Sequence, residues 1–511
     1  MSAVVAVPVL LPMLGAALAM LGGRHPAVPR VVAVPTVAVS VVAAAVLLAA
    51  ADARGPVVLH VGGWGPPVGI TLVADRLSAL LLLVSTLVML AVQVYAIAQR
   101  VTDQGREAPS TTFHPVYLLL CAGVALAYLT ADLFTLFVAF EVMLTASYVL
   151  ITRRASARTV QAGMTYVTVS LLSSLLFLTA IALVYAATGT VNLADLSERV
   201  VTLPEGLRAV LALLLLVVFG IKAAIVPLHF WLPDSYPSAP APVTALFAGL
   251  LTKVGFYALL RTQTLILPAD GPSPLLLALA VVTMLVGTLG AVAQDDLNRL
   301  LSFLLVGHIG FMLFGLAVAT PEGFGGAALY AAHHITVLAA LFLVSGLIVR
   351  RTGTAALDRM GGLAHAAPVL AVLFAVPALT LAGLPPTAGF VAKLALLQAG
   401  ARAGPWAVAA AGVVVVASLF TLYALVRVWT RAFWGAPKPA LPDEDPSDEL
   451  VVGTAAASMT SRPMYAATAA IVAVSLGIAV AAGPLSATTA RAGADLADRS
   501  AYTVAVLGVD Q

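Results

Sequence analysis

The chain is poor in cysteine and in charge. Cys121 is the one cysteine among 511 residues, so an intramolecular disulfide and a CxxC metal site are both excluded. Charged residues make up only 10% of the chain and aromatic residues 7%. Soluble globular domains carry roughly 25% charged residues, so this composition excludes that class.

Lysine is the scarcest basic residue, and its positions are informative. Lys222, Lys253 and Lys393 fall in apolar segments, only Lys438 lies in a polar stretch, and the other 22 basic residues are arginine. Arginine stays protonated in proteins, whereas a desolvated lysine can release its proton near neutral pH. The division indicates a protein that moves protons across a bilayer.

Long apolar runs fill the rest of the chain. Hydrophobic residues reach 61% and the mean hydropathy is +1.05. This pattern predicts an all-α polytopic membrane protein with about fourteen transmembrane helices. Residues 1–22 lack a basic leading segment, so they are interpreted as the first span and not as a signal peptide. The predicted spans are 3–22, 31–51, 72–98, 116–130, 132–152, 163–187, 207–226, 241–262, 274–293, 299–319, 324–348, 368–400, 405–430 and 463–483.

The basic residues of the connections predict the orientation. One alternate set of connections is rich in them and is assigned to the cytoplasm, which places both termini outside a bacterial plasma membrane. That set holds Arg24, Arg30, Arg100, Arg106, Arg153, Arg154, Arg158, Arg299, Arg350, Arg351, Arg359, Arg431, Lys438 and Arg462. The other set holds Arg54, Arg199, Arg208, Arg261 and Arg402.

Two predicted spans contain prolines that interrupt them. One runs from Gly220 to Pro242 and the other from Leu381 to Lys393. Backbone freed by proline is tolerated at membrane depth only inside protein or beside water, and paired breaks indicate inverted repeats around a transport site. The predicted units are three N-terminal helices in 1–110, five-helix repeats in 111–265 and 270–434, and a charged connector, last helix and polar tail in 435–511.

Two ionisable residues of the first repeat are candidates for proton transfer. Glu141 is the acidic residue well inside its span, and Lys222 lies a few residues before the first break. An ion pair between them would hold the lysine charged, and weakening that pair would release its proton. The competing interpretations are a structural partner for Glu141 and a snorkelling side chain for Lys222. Asp132 lies near the outer end of its span and is predicted to cap the helix.

The remaining candidates for proton transfer lie further along the chain and would form a row with Glu141 and Lys222. Lys253 lies near the middle of a span, and Lys393 follows the second break. His333 and His334 point about 100° apart on a helix, so at most one of them is expected to face a central channel. The alternative for one of these two is a satisfied interior histidine. His229 and His308 are weaker candidates for an entry path, and a loop cap is the alternative for His229. No metal-ligand spacing, nucleotide motif or catalytic triad occurs, so neither a metal nor a cofactor is predicted.

Several strings resemble the antiporter-like membrane subunits shared by respiratory complex I, membrane-bound hydrogenases and Mrp-type Na⁺/H⁺ antiporters. They are KAAIVPLHFWLPDSYPSAPAPVTALFAGLLTKVGFYALLR from Lys222, DDLNRLLSFLLVGHIGFM from Asp295 and LAGLPPTAGFVAK from Leu381. Within that superfamily, DLFTLFVAFEVMLTASYVLI from Asp132 and RAFWG from Arg431 are most similar to the branch of the Mrp D subunits.

The resemblance implies fourteen helices, two inverted five-helix repeats and a residue-by-residue assignment. Glu141 and Lys222 match the charge pair, Lys253 matches the central lysine, Lys393 matches the lysine of the second broken helix, and one of the two adjacent histidines matches the family histidine. Many relatives carry a lysine four residues after the second histidine, where this chain has Leu338. Water, either histidine or the hydroxyl of Thr336 would have to bridge that gap.

The expected function is proton translocation in a multisubunit antiporter that exchanges protons for Na⁺ or another monovalent cation. The expected partners are other antiporter subunits and the bilayer, and the chain is expected to be a secondary transporter subunit without an enzymatic reaction of its own. One rival is a pump subunit of complex I or of an energy-converting hydrogenase, for which a translocase label would apply. The other rival is a scaffold that conducts no protons.

Overall fold

The structure is a computed structural model that describes residues 2–23, 25, 27–99, 112–152, 157–267, 271–436 and 462–508. Helices dominate the described residues, and twelve of these helices are long and apolar enough to cross a membrane. The first ten helices are α1 Ser2–Leu21, α2 Val28–Arg54, α3 Arg76–Gln99, α4 Phe113–Leu129, α5 Leu133–Ile151, α6 Ala157–Thr188, α7 Leu193–Arg199, α8 Glu205–Ala223, α9 Leu232–Ser235 and α10 Ala241–Arg261.

Ten further helices complete the described chain. They are α11 Pro274–Val292, α12 Leu297–Ala317, α13 Pro321–Thr352, α14 Leu363–Ala366, α15 Pro368–Ala382, α16 Ala388–Arg402, α17 Pro405–Val428, α18 Arg462–Val480, α19 Ala482–Ala497 and α20 Ser500–Leu507. Every predicted span coincides with one or two of these helices, and the predicted polytopic all-α fold is confirmed.

Short polar side chains start several of the helices. The side chain of Asp132, the residue before α5, accepts a hydrogen bond from the backbone N–H of Thr135 at 2.5 Å, so the predicted cap is confirmed. Ser273, Asp296 and Thr320 cap α11, α12 and α13 in the same way. Each cap satisfies one of the backbone donors that a helix start leaves free, which lipid could not satisfy.

Three helices form the interior of the bundle. Helices α10, α12 and α13 are buried along nearly their whole length, whereas α1, α2, α6 and α17 each keep one broad exposed face. Helix α13 contacts α10, α12 and α16, among others. The interior of a membrane bundle is where charged side chains are tolerated, so these three helices are the natural place for a site.

A small β-hairpin precedes α3. Strands β1 Val57–His60 and β2 Thr71–Ala74 pair antiparallel, with His60 opposite Thr71. The predicted span 72–98 therefore starts too early, and the helix begins at Arg76. Asp75 explains the boundary, because its carboxylate accepts a hydrogen bond from the backbone N–H of Ser78 at 2.8 Å.

Both predicted interruptions are present. Helix α8 ends at Ala223, and Ala224 adopts the left-handed conformation with a φ of 60°. Helix α15 ends at Ala382, and Gly383 adopts the same conformation with a φ of 84°. The predicted span 368–400 is thus two half-helices, α15 and α16, with the break between them.

The end of the described chain differs from its prediction. The sequence indicates a polar tail at the surface after residue 484, but the structure has helices α19 and α20 there, and α19 packs against α13. A Cβ on Gly493 would lie 2.1 Å from the carbonyl oxygen of Pro321 and 2.7 Å from the backbone nitrogen of Gly325. The absence of a side chain at Gly493 thus permits this close packing.

Two turns with the sequence Thr-Gly-Thr have matching geometry, at 188–190 and 352–354. Gly189 and Gly353 have φ values of 73° and 77°. Each turn leads into a segment that pairs with the start of a helix, α5 in the first case and α12 in the second. The backbone bonds are Leu133 N–H to Val191 at 3.0 Å, Leu193 N–H to Ala131 at 2.8 Å, Leu297 N–H to Ala355 at 2.9 Å and Leu357 N–H to Asp295 at 2.8 Å.

Some of the basic residues from which the orientation is predicted lie outside the described residues. This applies to Arg24, Arg100, Arg106, Arg153, Arg154 and Lys438, to the side chain of Arg158, and to the connector from 437 to 461.

Candidate functional site

A hydroxyl links Glu141 on α5 with Lys222 on α8. Ser174 on α6 donates a hydrogen bond to Oε1 of Glu141 and accepts one from Nζ of Lys222 at 3.2 Å. The sequence predicts a charge pair of these two residues, and in the structure no N···O contact within 4 Å joins the two described side chains directly. The pair is therefore bridged, and the geometric reason is that α6 places Ser174 between them.

The end of α8 positions Lys222. The residue lies in the last turn of the helix, and Nζ also reaches the carbonyl oxygen of Ser170 at 3.5 Å and lies 5.3 Å from the ring centre of Phe140. The negative end of a helix dipole stabilises a cation. A cavity of about 30 Å³ adjoins the amine, with Tyr166 and Trp231 in its wall. That volume is large enough to hold water.

Lys253 lies in the middle of α10 and is fully buried. Its Nζ donates a hydrogen bond to the carbonyl oxygen of Ala248 in the same helix. Gly255 brings α10 against the end of α8, because a Cβ there would lie only 2.6 Å from the backbone nitrogen of Ala223. The close approach of these two helices places the Lys222 and Lys253 segments side by side.

Three fully buried histidines follow on α12 and α13. The rings of His308 and His334 are stacked, with centroids 5.3 Å apart. Nδ1 of His308 shares a hydrogen bond of 2.6 Å with the hydroxyl of Tyr330, and Nε2 shares one of 3.2 Å with Thr421. Neither ring nitrogen of His334 has a hydrogen-bond partner among the described residues. Buried imidazole nitrogens without a protein partner are available to bind a proton or water.

The two adjacent histidines have different electrostatic neighbours. His333 lies within electrostatic range of Lys393, whereas His334 lies within range of both Lys253 and Lys393. The ring of His333 packs edge-on against Tyr330 at 5.5 Å, and its two nitrogens likewise lack a partner in the described structure. The interior packing of α13 holds both rings, and both lie among the buried groups between Lys253 and Lys393.

Lys393 fills the second break. Its Nζ donates hydrogen bonds to the carbonyl oxygens of Leu381 at 3.1 Å and Ala382 at 2.8 Å, the last residues of α15. It also lies 4.9 Å from the ring centre of Phe311. The amine therefore satisfies carbonyls that the interrupted helix leaves free. Lys393 and Lys222 thus both place an amine near the C-terminal end of a helix, α15 for Lys393 and α8 for Lys222.

The position at which this chain differs from many relatives is apolar and fully buried. Leu338 is fully buried on α13, one turn beyond His334. The hydroxyl of Thr336 donates to the carbonyl oxygen of His333 at 2.8 Å, which leaves it only as an acceptor for other groups. The stacked rings of His308 and His334 are therefore the best-placed groups to bridge the gap that Leu338 leaves in the row of titratable residues.

The two candidates for an entry path occupy different places. His229 lies in the break after α8, half-buried, and its Nδ1 has no partner among the described residues. His308 lies in the middle of α12 within the histidine cluster, far from either end of the row. Sequence reasoning missed Ser174, Tyr330 and Thr421, because hydroxyl residues are common in membrane helices and carry no spacing signal.

The comparisons with known proteins agree with this architecture. Residues 130–421 match the model of the family described as NADH:quinone oxidoreductase/Mrp antiporter, TM. The chain is 40% identical over 441 residues to the Na⁺/H⁺ antiporter D subunit of Alkalihalophilus pseudofirmus, which covers 86% of this chain and 88% of the relative.

Two solved structures have the same fold over almost the whole chain. A chain of the Mrp complex from Dietzia sp. is 34% identical with a TM-score of 0.90, covering 99% of this chain and 100% of that chain. A chain of respiratory complex I from Thermus thermophilus is 26% identical with a TM-score of 0.77, covering 98% and 99%. The chain therefore belongs to the NADH:quinone oxidoreductase/Mrp antiporter family and, within it, to the multi-pass membrane proteins named as D subunits of Na⁺/H⁺ antiporters.

Proposed function

We propose that this chain is the proton-translocating D subunit of a multisubunit antiporter that exchanges protons for Na⁺ or another monovalent cation. One observation carries the proposal. Three lysines follow one another through the interior, each hydrogen-bonded to oxygen atoms, with histidines between the second and the third. Lys222 is partly buried, and Lys253 and Lys393 are buried. Buried charge of this kind is expensive in a membrane and is retained for function.

The proposed relay starts at Glu141. A proton passes from Glu141 through the hydroxyl of Ser174 to Lys222, then to Lys253 on the neighbouring helix. His334, His308 and His333 then carry it to Lys393. His229 contributes to entry at the first break. Each transfer moves one proton from a donor to an acceptor lone pair, so every lysine alternates between ammonium and amine.

The driving force has the right scale for such a relay. One elementary charge that crosses 100 mV is worth about 2.3 kcal/mol. A change of one pKa unit corresponds to about 1.4 kcal/mol. Small changes in the contacts around Ser174 or Lys393 are therefore sufficient to couple the proton flux to the flux of a cation through the complex.

The exposed side of Glu141 supports assembly with a partner subunit. Glu141 is only partly buried, and the neighbouring side chains on the same face of α5 are apolar and exposed, including Phe134 at 50% and Val138 at 38%. A carboxylate that faced lipid would cost several kcal/mol. Another subunit of the complex therefore covers this face.

The domain organisation and the orientation are part of the same proposal. The turns at 188–190 and 352–354 support two repeats of inverted topology, in 111–265 and 270–434, because α5 and α12 start from opposite faces of the bundle. The face where α3 begins and α10 ends is proposed as the outer face of the plasma membrane. It also holds both termini.

Replacement of Lys222 by Ala tests the function. The measurement is pH-gradient-driven exchange with Na⁺, K⁺ and Li⁺ in vesicles that contain the assembled complex. Loss of exchange with intact assembly supports the relay. Unchanged exchange in an assembled Lys222→Ala complex would support a scaffold instead. Exchange that requires a redox reaction would support the pump subunit, and the 40% identity to an Na⁺/H⁺ antiporter D subunit argues against that rival.

A further inference from the structure

A buried stripe runs from Lys253 along α10 to the face where this helix ends. Lys253, Tyr257 and Arg261 are spaced four residues apart, so they lie on one side of the helix, and all three are buried. Eight residues of helix correspond to about 12 Å. This stripe leads away from the histidines and toward the proposed outer face, so it is not a part of the relay.

Unsatisfied hydroxyl groups lie beside the stripe. Ser85 on α3, Tyr128 on α4 and Thr252 on α10 are fully or almost fully buried, and their hydroxyls make no hydrogen bond within 3.5 Å among the described residues. Buried groups of this kind are found where a site is hydrated or transiently hydrated.

The packing of α3 against α10 brings Ser85 and Thr252 to the same depth. A Cβ on Gly249 would lie 3.7 Å from Cγ1 of Val88. The two helices run in opposite directions, because the end of α10 meets the residue before α3. Thr252 follows Gly249 by three residues and Ser85 precedes Val88 by three residues, so both lie about one turn closer to the proposed outer face and at the same depth. Together with Tyr128, these residues form a polar side branch, a row of buried hydroxyls that starts next to Lys253.

An ion pair closes this branch. Nη2 of Arg261 lies 2.6 Å from Oδ2 of Asp75, and both side chains are buried. The guanidinium lies between two aromatic rings, 5.4 Å from the centre of Tyr257 and 5.1 Å from that of Tyr502. The hydroxyl of Tyr257 donates to the backbone oxygen of Tyr128 at 2.7 Å, so it does not donate a hydrogen bond to another group.

Tyr502, the second of the two rings beside the Arg261 guanidinium, belongs to the C-terminal helices. Tyr502 lies on α20, and α19 is fastened to α2 and α3 by two ion pairs: Arg491 to Asp52 at 2.7 Å and Arg76 to Asp495 at 2.6 Å. The segment is thus held over the end of α10 by charge, by packing against α13 and by the tyrosine. A merely solvent-exposed tail would make none of these contacts.

We propose that Arg261, Asp75 and Tyr502 form a proton seal, which the C-terminal helices hold across the hydroxyl-lined branch between Lys253 and the proposed outer face. Arginine does not release its proton, and a fixed cation repels protons in a narrow path. The seal forces a proton on Lys253 to continue to the histidines instead of leaking out. This inference rests on the proposed function in so far as Lys253 carries protons.

Tyr502→Ala tests the seal, with Tyr502→Phe as the matched control. The complex is reconstituted in liposomes without a cation gradient, and the passive decay of an imposed pH difference is followed with an internal dye. Tyr502→Ala is expected to accelerate the decay about tenfold, as a barrier lower by ~1.4 kcal/mol would. Tyr502→Phe keeps the ring over the guanidinium and is expected to decay like the parent.

A second substitution identifies the path of the leak. Tyr128→Phe in the Tyr502→Ala background removes a hydroxyl of the branch and is expected to restore slow decay. Tyr117→Phe is the control on the same helix, because its buried hydroxyl donates to the backbone of Met89 away from the branch. The control is expected to leave the leak unchanged.

Two results would overturn the proposal. One is an assembled Tyr502→Ala complex that leaks no faster than the parent. The other is a leak that Tyr128→Phe and Tyr117→Phe suppress equally. If Tyr502→Ala does not assemble, the neutral pair Asp75→Asn with Arg261→Gln provides the same readout. These outcomes leave the relay itself untouched, since that proposal fails only if exchange survives without its lysines.

Discussion

Lys393 donates a hydrogen bond of 2.8 Å to the carbonyl oxygen of Ala382, the last residue of α15. An amine that belongs to the second half of a broken helix thus completes the first half. The contact gives the lysine two roles, because the same group satisfies free backbone oxygens and is placed to exchange protons. The roles can be separated experimentally.

Lys393→Arg and Lys393→Ala separate structure from proton transfer. Arginine keeps the positive charge and the donors but does not deprotonate, so the complex is expected to assemble and to lose exchange. Alanine leaves two carbonyl oxygens unsatisfied, which should also lower the free energy of unfolding by about 1–3 kcal/mol. Thermal unfolding and vesicle exchange measure the two effects. Full exchange with Lys393→Arg would show that this amine does not carry protons.

Ser174→Ala removes the bridge between Glu141 and Lys222. The two groups then lack a path for the proton, and exchange is expected to fall roughly tenfold, the effect of about 1.4 kcal/mol on a barrier. Ser173→Ala is the control, because its neighbouring hydroxyl bonds only the backbone of Val218 at 3.3 Å. Equal rates for the Ser174→Ala and Ser173→Ala complexes would argue that Glu141 reaches Lys222 without this hydroxyl.

Gly255→Ala pushes α10 away from α8. The added methyl group would collide with the backbone at Ala223, so the free energy of unfolding should fall by about 1–3 kcal/mol. The larger separation of Lys222 from Lys253 should also slow exchange. Gly412→Ala on α17 is the control, because no atom lies within 4 Å of its added Cβ. An exchange rate and a thermal stability equal to those of Gly412→Ala would contradict the predicted packing.

His334→Gln tests the bridge in the interior. Glutamine has a similar polarity but no titratable group near neutral pH, so exchange is expected to fall to background. Leu338→Lys, one turn further along α13, places an amine on the same face and is expected to restore part of the exchange in the His334→Gln background. If His334→Gln exchanges at the parent rate in vesicles, the histidine cluster is not the bridge.

The spans and breaks were predictable from the sequence because lipid leaves few options for the backbone. Apolar runs of sufficient length must be helices, and the prolines after Lys222 and before Lys393 marked both interruptions. The start of α3 was misplaced, since Thr71–Ala74 is as apolar as a helix and forms a strand. The two C-terminal helices were missed, because Arg491, Asp495 and Arg499 make that segment look like a solvated tail.

The site was predictable where it depends on rare residues. Buried lysines and a carboxylate stand out in an apolar chain, whereas Ser174 and Tyr330 do not. The sequence indicated a pair of Glu141 and Lys222 but not the serine between them, because the position of a residue on a third helix depends on tertiary packing. The different surroundings of His333 and His334 likewise depend on how α13 packs against α10 and α16.

Lys253→Met gives the most direct test of the central claim. Methionine resembles the lysine stem in length, carries no charge and suits a fully buried position, so the complex should assemble normally. The measurement is Na⁺-driven proton movement in vesicles that contain the assembled complex. The account predicts that this movement falls to the level of vesicles without the complex. Proton movement at the parent rate with Lys253→Met would show that protons do not pass through the buried lysines.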